Sequence, residues 1–122
     1  VDAPCTGLGT LRRHPDLKWR VRERDVAAMT AQQASIVAAG ARLVKPRGLL
    51  VYATCSLLDD ENQAVVRQFL AANPRFRQED VGTAIERLRP ASDALVQGGA
   101  LRVLPHLHDT DGFFATTLRR QD

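Results

Sequence analysis

Apolar and polar positions along the chain change period from block to block. Residues 25–44 place Val26, Met29, Gln33, Ile36, Val37, Gly40, Leu43 and Val44 near a 3.6-residue repeat, which predicts a long amphipathic helix. Ala38, Ala39 and Ala41 would let that helix approach a sheet closely, and Lys45-Pro46-Arg47-Gly48 stops it with a cation, a proline and a glycine. Leu49-Leu50-Val51-Tyr52-Ala53 is apolar without alternation, as expected of a parallel strand covered on both faces. Residues 56–73 predict a second helix. Asp59, Asp60 and Glu61 suit its positive N-terminus, Val65, Val66, Phe69 and Leu70 form its buried side, and Asn73-Pro74 ends it.

The later blocks are shorter. Residues 75–81 read as a strand, and 82–99 are weakly patterned around a short helix over 84–89. Residues 101–104 read as another strand, 106–112 as a polar turn, and 113–119 alternate as a closing strand. Gly7 and Gly9 make residues 6–10 a tight loop, either an ordinary turn or a place where backbone meets a ligand.

A helix between two strands of one sheet is a crossover unit, right-handed in nearly all cases. Thr54-Cys55-Ser56 therefore sets a thiol at the carboxyl end of a strand, where open α/β sheets bind ligands. If Val1-Asp2-Ala3 ends the neighbouring strand, about 4.8 Å away, Cys5 and Cys55 share one crevice. Sulfurs more than about 15 Å apart, some three strand spacings, would exclude that arrangement.

The 122 residues suffice for one domain burying about two-thirds of its unfolded surface. A net charge of +3 permits a polyanionic partner without demanding one. No apolar run approaches the roughly 20 residues of a membrane span, and no signal-peptide pattern opens the sequence, so a reducing cytoplasm is expected. The two cysteines form neither a CxxC motif nor a zinc pattern. A disulfide or two buried small residues are the plainer alternatives to a reactive pair. Val1 leads straight into Asp-Ala-Pro-Cys with no room for a full preceding strand, so a piece of a longer chain is expected.

Arg12, Arg13, Lys18, Arg20, Arg22 and Arg24 make residues 11–24 the most basic stretch, and Trp19 lies within it. Cations with a stacking aromatic suit single-stranded nucleic acid, whereas a solvated face with Trp19 packed inward fits the same residues. His106, His108, Asp109 and Asp111 have the makings of a metal site but read as an exposed polar turn, and no metal is expected.

Several separate stretches share one resemblance. Asp2-Ala3-Pro4-Cys5-Thr6-Gly7, Arg12-Arg13-His14-Pro15-Asp16-Leu17-Lys18-Trp19, Tyr52-Ala53-Thr54-Cys55-Ser56, Glu61-Asn62 and Asp111-Gly112-Phe113-Phe114 resemble, in order and spacing, the Sun/Fmu (RsmB-like) RNA cytosine-5 methyltransferases. The resemblance implies an α/β fold, the C-terminal half of a Rossmann-like S-adenosylmethionine-dependent sheet whose last strand lies antiparallel between its neighbours. Residues 1–122 would then be the C-terminal portion of a catalytic domain, with the cofactor-loop half and any N-terminal RNA-binding domain upstream. It implies Cys55 as nucleophile toward cytosine C6, Cys5 as the thiol assisting product release, and Asp2 where cofactor and base meet. It implies Arg12, Arg13, Lys18, Trp19 and Arg20 as part of the wall near RNA, ribosomal RNA above all. A non-catalytic RNA-binding fragment is the competing expectation. Arg47 stands where many relatives have Gly, and Thr6 where Ser is usual.

Overall fold

A computed structural model describes residues 1–88 and 93–122. Leu17–Arg20 forms a single helical turn, α1. The long helix α2 spans Glu23–Leu43, close to the expected bounds. The backbone N–H of Arg22 donates to Asp25 Oδ2 (2.8 Å), which caps its first turn. Gln33, Val37 and Ala41, four residues apart, are its buried stripe. The Lys45-Pro46-Arg47-Gly48 turn follows with Arg47 at φ 64°, the left-handed region that glycine adopts without strain.

Strand β1 spans Leu49–Thr54. Only one of its faces is covered: Leu50 and Tyr52 are buried, while Leu49 and Val51 are 47% and 46% exposed. The expectation of cover on both faces is thus corrected. Apolar residues on alternate sides made the strand read as uniformly buried, but α2 and the next helix both pack on one side.

The second predicted helix starts later than expected. Ser56, Leu57 and Leu58 form a loop, Asp59–Glu61 a 3-10 turn, and the helix α3 spans only Gln63–Ala72. Ser56 and Glu61 are engaged in hydrogen bonds to each other rather than in helical pairing. The acidic run therefore precedes α3, and no helix N-terminus lies directly behind Cys55. Val65, Val66 and Phe69 are buried as the period predicts, and Asn73 Nδ2 closes the helix on the Phe69 carbonyl (2.8 Å).

Strand β2 spans Phe76–Glu79 and helix α4 Gly82–Leu88. The expected end of that helix at Arg89 lies outside the described residues. Short strands β3 (Val96–Gln97) and β4 (Ala100–Val103) form a hairpin, Pro105–His108 makes one helical turn, α5, and Phe113–Arg120 is β5.

Strand β5 is the central strand. It pairs antiparallel with β1 along one edge, in the register Leu50↔Leu118 and Tyr52↔Thr116. Its other edge is shared, with β4 pairing near Ala115 and β2 near Leu118. On the outer edge of β1, Asp2 makes a parallel bridge to Ala53. The Ala3 N–H donates to the Ala53 carbonyl and the Ala53 N–H to the Val1 carbonyl, both at 2.9 Å. The start of the chain therefore runs parallel beside β1 through one bridge, as the arrangement considered for Val1-Asp2-Ala3 supposes. Leu50, Tyr52, Phe114 and Leu118 from the sheet, Val37 and Ala41 from α2, and Val65, Val66 and Phe69 from α3 form one core. This places both cysteine loops at the same end of β1.

Candidate active site

Two chain segments reach the carboxyl end of the sheet together, one leaving the Asp2 bridge and the other leaving β1. They bring the Cys5 and Cys55 sulfurs to 3.4 Å, both half-buried and unbridged. The closeness of the two thiols expected from the crossover is present. Burial, and then the hydrogen bond to Cys55, push the Cys5 thiol up to about 12, so Cys5 is a neutral thiol at ordinary pH.

Cys55 is clipped on both flanks by Asn62. The Thr54 hydroxyl donates to Asn62 Oδ1, and Asn62 Nδ2 donates to the Ser56 carbonyl (2.9 Å). The loop after Cys5 lies over this segment: the Gly9 N–H donates to the Cys55 carbonyl (2.8 Å), and the Gly112 N–H donates to the Gly9 carbonyl (2.7 Å). A side chain at Gly9 has no room, because its Cβ would stand 2.3 Å from the Gly112 carbonyl oxygen and 2.5 Å from that of Cys55.

Beneath the thiols lies Glu61, with 0% exposure. Its Oε1 accepts from the Thr6 N–H (2.8 Å) and from Gln33 Nε2 (3.1 Å). Its Oε2 accepts from the Thr6 hydroxyl (2.6 Å) and from the Ser56 hydroxyl. Gln33 Nε2 also donates to the Pro4 carbonyl (2.9 Å), and since both its neighbours are acceptors the amide orientation is fixed. The Tyr52 hydroxyl donates to the Glu61 carbonyl (2.6 Å), and burial together with the nearby Glu61 charge raises the phenol above its ordinary range.

Sequence reasoning did not identify Glu61 or Gln33 as site residues. The available signal was Gln33, a polar side chain within the apolar repeat. Glu61 reads from sequence only as one of three acids suiting a helix N-terminus and, with Asn62, as part of the resemblance.

Asp2 is exposed beside Ala53, two residues from Cys55. Arg12 and Arg13 lie on the turn after Gly9, where each meets an acid of the 109–111 turn. Arg12 pairs with Asp109 (3.3 Å) and Arg13 with Asp111 (2.6 Å). Trp19 is 73% exposed with Lys18 Nζ 5.3 Å from its ring, so it does not pack inward. Arg20 pairs with Asp16 one helical turn back (2.9 Å) and holds that carboxyl below its usual range. The 106–112 turn is bound within the fold: His108 Nδ1 accepts from the Leu104 N–H (2.8 Å), and Asp109 and Asp111 meet the arginines. Among the described residues no group of three or more His, Cys, Asp or Glu comes together as a metal site, and no helix is long and apolar enough to cross a membrane.

Known proteins resemble this chain in sequence and fold. The family model described as 16S rRNA methyltransferase RsmB/F matches residues 1–119. The chain is 40% identical over 120 residues to the probable ribosomal RNA small subunit methyltransferase B of Synechocystis, covering 98% of this chain and 26% of that protein. It is equally 40% identical to the ribosomal RNA small subunit methyltransferase B of Thermus thermophilus, covering 98% and 28%. The chain thus spans about a quarter of the length of the curated relatives it matches. Among solved structures, NSun6 from Pyrococcus horikoshii with SFG superposes with a TM-score of 0.74 at 27% identity, covering 100% of this chain and 29% of that one. A methyltransferase homolog protein from the same organism superposes at 0.71 with 29% identity, covering 98% and 37%. The mixed α/β sheet, with its antiparallel last strand between neighbours, is the Rossmann-like fold of S-adenosylmethionine-dependent methyltransferases. The chain belongs to the RsmB/F family of ribosomal RNA small-subunit methyltransferases.

Proposed function

We propose that this chain is the C-terminal part of the catalytic domain of an RNA cytosine-5 methyltransferase acting on ribosomal RNA in the cytoplasm, with S-adenosylmethionine as methyl donor. The observation that carries the reading is the pair of thiols 3.4 Å apart at the carboxyl end of a methyltransferase sheet. One thiol would serve an ordinary nucleophilic enzyme. A pair in contact suits a reaction in which sulfur must both attack and leave.

Cytosine C5 is weakly nucleophilic while the ring stays aromatic. Addition of the Cys55 sulfur to C6 breaks aromaticity and leaves C5 enamine-like, a covalent route that divides one hard step into easier ones. S-adenosylmethionine supplies an electrophilic methyl group on a sulfonium. After C5 is methylated its proton passes to solvent, the C5–C6 double bond re-forms and the C6–S bond breaks. Cys5, held as a neutral thiol, donates its S–H to the departing Cys55 sulfur and stabilises the charge that gathers there. The role of attacking thiol goes to Cys55 by its Thr54-Cys55-Ser56 motif, since both thiols are half-buried alike.

Asp2 fits a ligand-contacting role because its carboxylate is exposed at the same sheet end. It would hold the polar edge where cofactor and base meet. The target base must be unstacked to meet the sulfurs. Trp19 and Lys18 offer an exposed ring and a cation to such a strand, and Arg12, Arg13 and Arg20 belong to the same basic stretch of sequence.

The deciding experiment uses the full-length protein, S-adenosylmethionine and ribosomal RNA on a denaturing gel. Cys5→Ala is expected to accumulate a covalent protein–RNA adduct, and Cys55→Ala to form none. An adduct with Cys55→Ala would reverse the roles. No adduct in any variant, with RNA binding retained, would make the chain part of a binding module instead.

A further inference from the structure

Thr6 follows Cys5, Ser56 follows Cys55, and both hydroxyls end on the same carboxylate. A fully buried carboxylate is costly unless hydrogen bonds replace its water. At Glu61 four donors do so: two from Thr6, one from Ser56 and one from Gln33. The side chain is also held from behind, since the Glu61 carbonyl receives the Tyr52 hydroxyl from β1. Thr6 and Glu61 are 55 residues apart in sequence, so this joint is what relates the first cysteine segment to the second. Any movement of the carboxylate moves a residue adjacent to each sulfur.

We propose that Glu61 is a positioning residue that sets the Cys5–Cys55 spacing. It touches neither base nor cofactor and acts only through Thr6 and Ser56. The inference rests on the reading that the two thiols work as a pair. Without the carboxylate, the Thr6 and Ser56 hydroxyls lose their common acceptor and the two loops are no longer tied. Glutamine preserves most of the joint. Its amide oxygen can still accept from the Thr6 N–H and Gln33, and the two hydroxyls can turn to accept from its nitrogen.

The test uses full-length protein carrying Glu61→Ala, Glu61→Gln or Thr6→Ala, with Cys5→Ala as the control for other thiols. Phenylarsine oxide bridges two close thiols, forming two As–S bonds and releasing one water with arsenic remaining trivalent. Native-state bridging, followed by intact mass without RNA or cofactor, reports the spacing independently of methyl transfer. Glu61→Ala is expected to bridge at least about tenfold more slowly and to form the RNA adduct about a hundredfold more slowly, the scale of a 1 Å misplacement, with KM for S-adenosylmethionine little changed. Glu61→Gln should recover most of both rates, and Thr6→Ala should show a smaller loss of both. Should Glu61→Ala fail to fold, the other two variants decide. Unchanged bridging in folded Glu61→Ala or in Thr6→Ala would overturn the proposal, as would a Glu61→Gln no better than Glu61→Ala. If wild-type protein bridges but forms no adduct, the methyltransferase chemistry fails while the spacing claim is still judged by bridging.

Discussion

At the scale of single residues, the two cysteines are alike in sequence context and unlike in the fold. Cys5 carries a thiol pushed from an ordinary 9.0 up to about 12, chiefly by burial and then by the hydrogen bond to Cys55. Thiolate is the species that alkylates, so in the folded chain the Cys5 rate with iodoacetamide should keep climbing between pH 9 and about 11, where an ordinary thiol has levelled off. Mass spectrometry of the alkylated peptides across that range measures this. A Cys5 rate that levels off near pH 9, as in the denatured chain, would contradict the burial argument. The same shift has a stability consequence. Because the folded value lies above the unfolded one, the contribution of Cys5 is fully present below about pH 9 and is lost as pH rises toward 12. Glu61 illustrates the opposite limit of legibility: Glu61-Asn62 carries part of the resemblance, yet the side chain's role is not readable from the acidic run it shares with Asp59 and Asp60. Its burial is set by Thr6, 55 residues earlier, and that partner is visible only once the two segments have met.

At the scale of elements, the regular blocks were legible and the joints between them were not. Helix α2 and the start of β1 lie where periodicity and the Lys45-Pro46-Arg47-Gly48 stop place them, because both depend on local pattern. The start of α3 does not, because Ser56 and Glu61 are committed to tertiary hydrogen bonds that no helical period encodes. Gly7 and Gly9 read alike as turn glycines, yet only Gly9 is wedged between two carbonyl groups, with backbone rather than flexible side chains as neighbours. Gly9→Ala should therefore force the loop away from Cys55. Overpacking of about 1–3 kcal/mol, and about 1 kcal/mol for each of the two backbone hydrogen bonds disturbed, predict a loss of roughly 3–5 kcal/mol by urea denaturation. Gly98→Ala is the comparison: its Cβ meets nothing within 4 Å, and its φ of 59° alone should cost about 1–2 kcal/mol. If Gly9→Ala cost no more than Gly98→Ala, the crossing at Cys55 would not be the tight joint that the distances indicate.

At the scale of the whole molecule, the 122 residues form a sheet with helices α2 and α3 on one face and apolar side chains on the other. Leu49 and Val51 on β1 and Phe113 on β5 project from that second face, and the β1–β5 register places them on one side of the sheet. Strand β1 is bounded by β5 and by the short Asp2 bridge, so the open surface is a face rather than a row of unpaired backbone groups. Exposed apolar surface drives association in proportion to the area removed from water. The 122-residue chain should therefore self-associate, with a weight-average mass in sedimentation equilibrium that rises above 13.4 kDa as concentration increases. Val51→Lys should hold the mass near the monomer value at the same concentrations, because burying the new charge between two copies would be unfavourable. It should leave the thermal midpoint almost unchanged, since residue 51 packs against no helix, whereas a charge at Leu50 enters the core beside Phe114 and Leu118 and should prevent folding. Monomer behaviour in the wild-type chain would show that this face is too small or too interrupted by Thr117 and Arg119 to associate. Association undiminished by Val51→Lys would place the contact elsewhere.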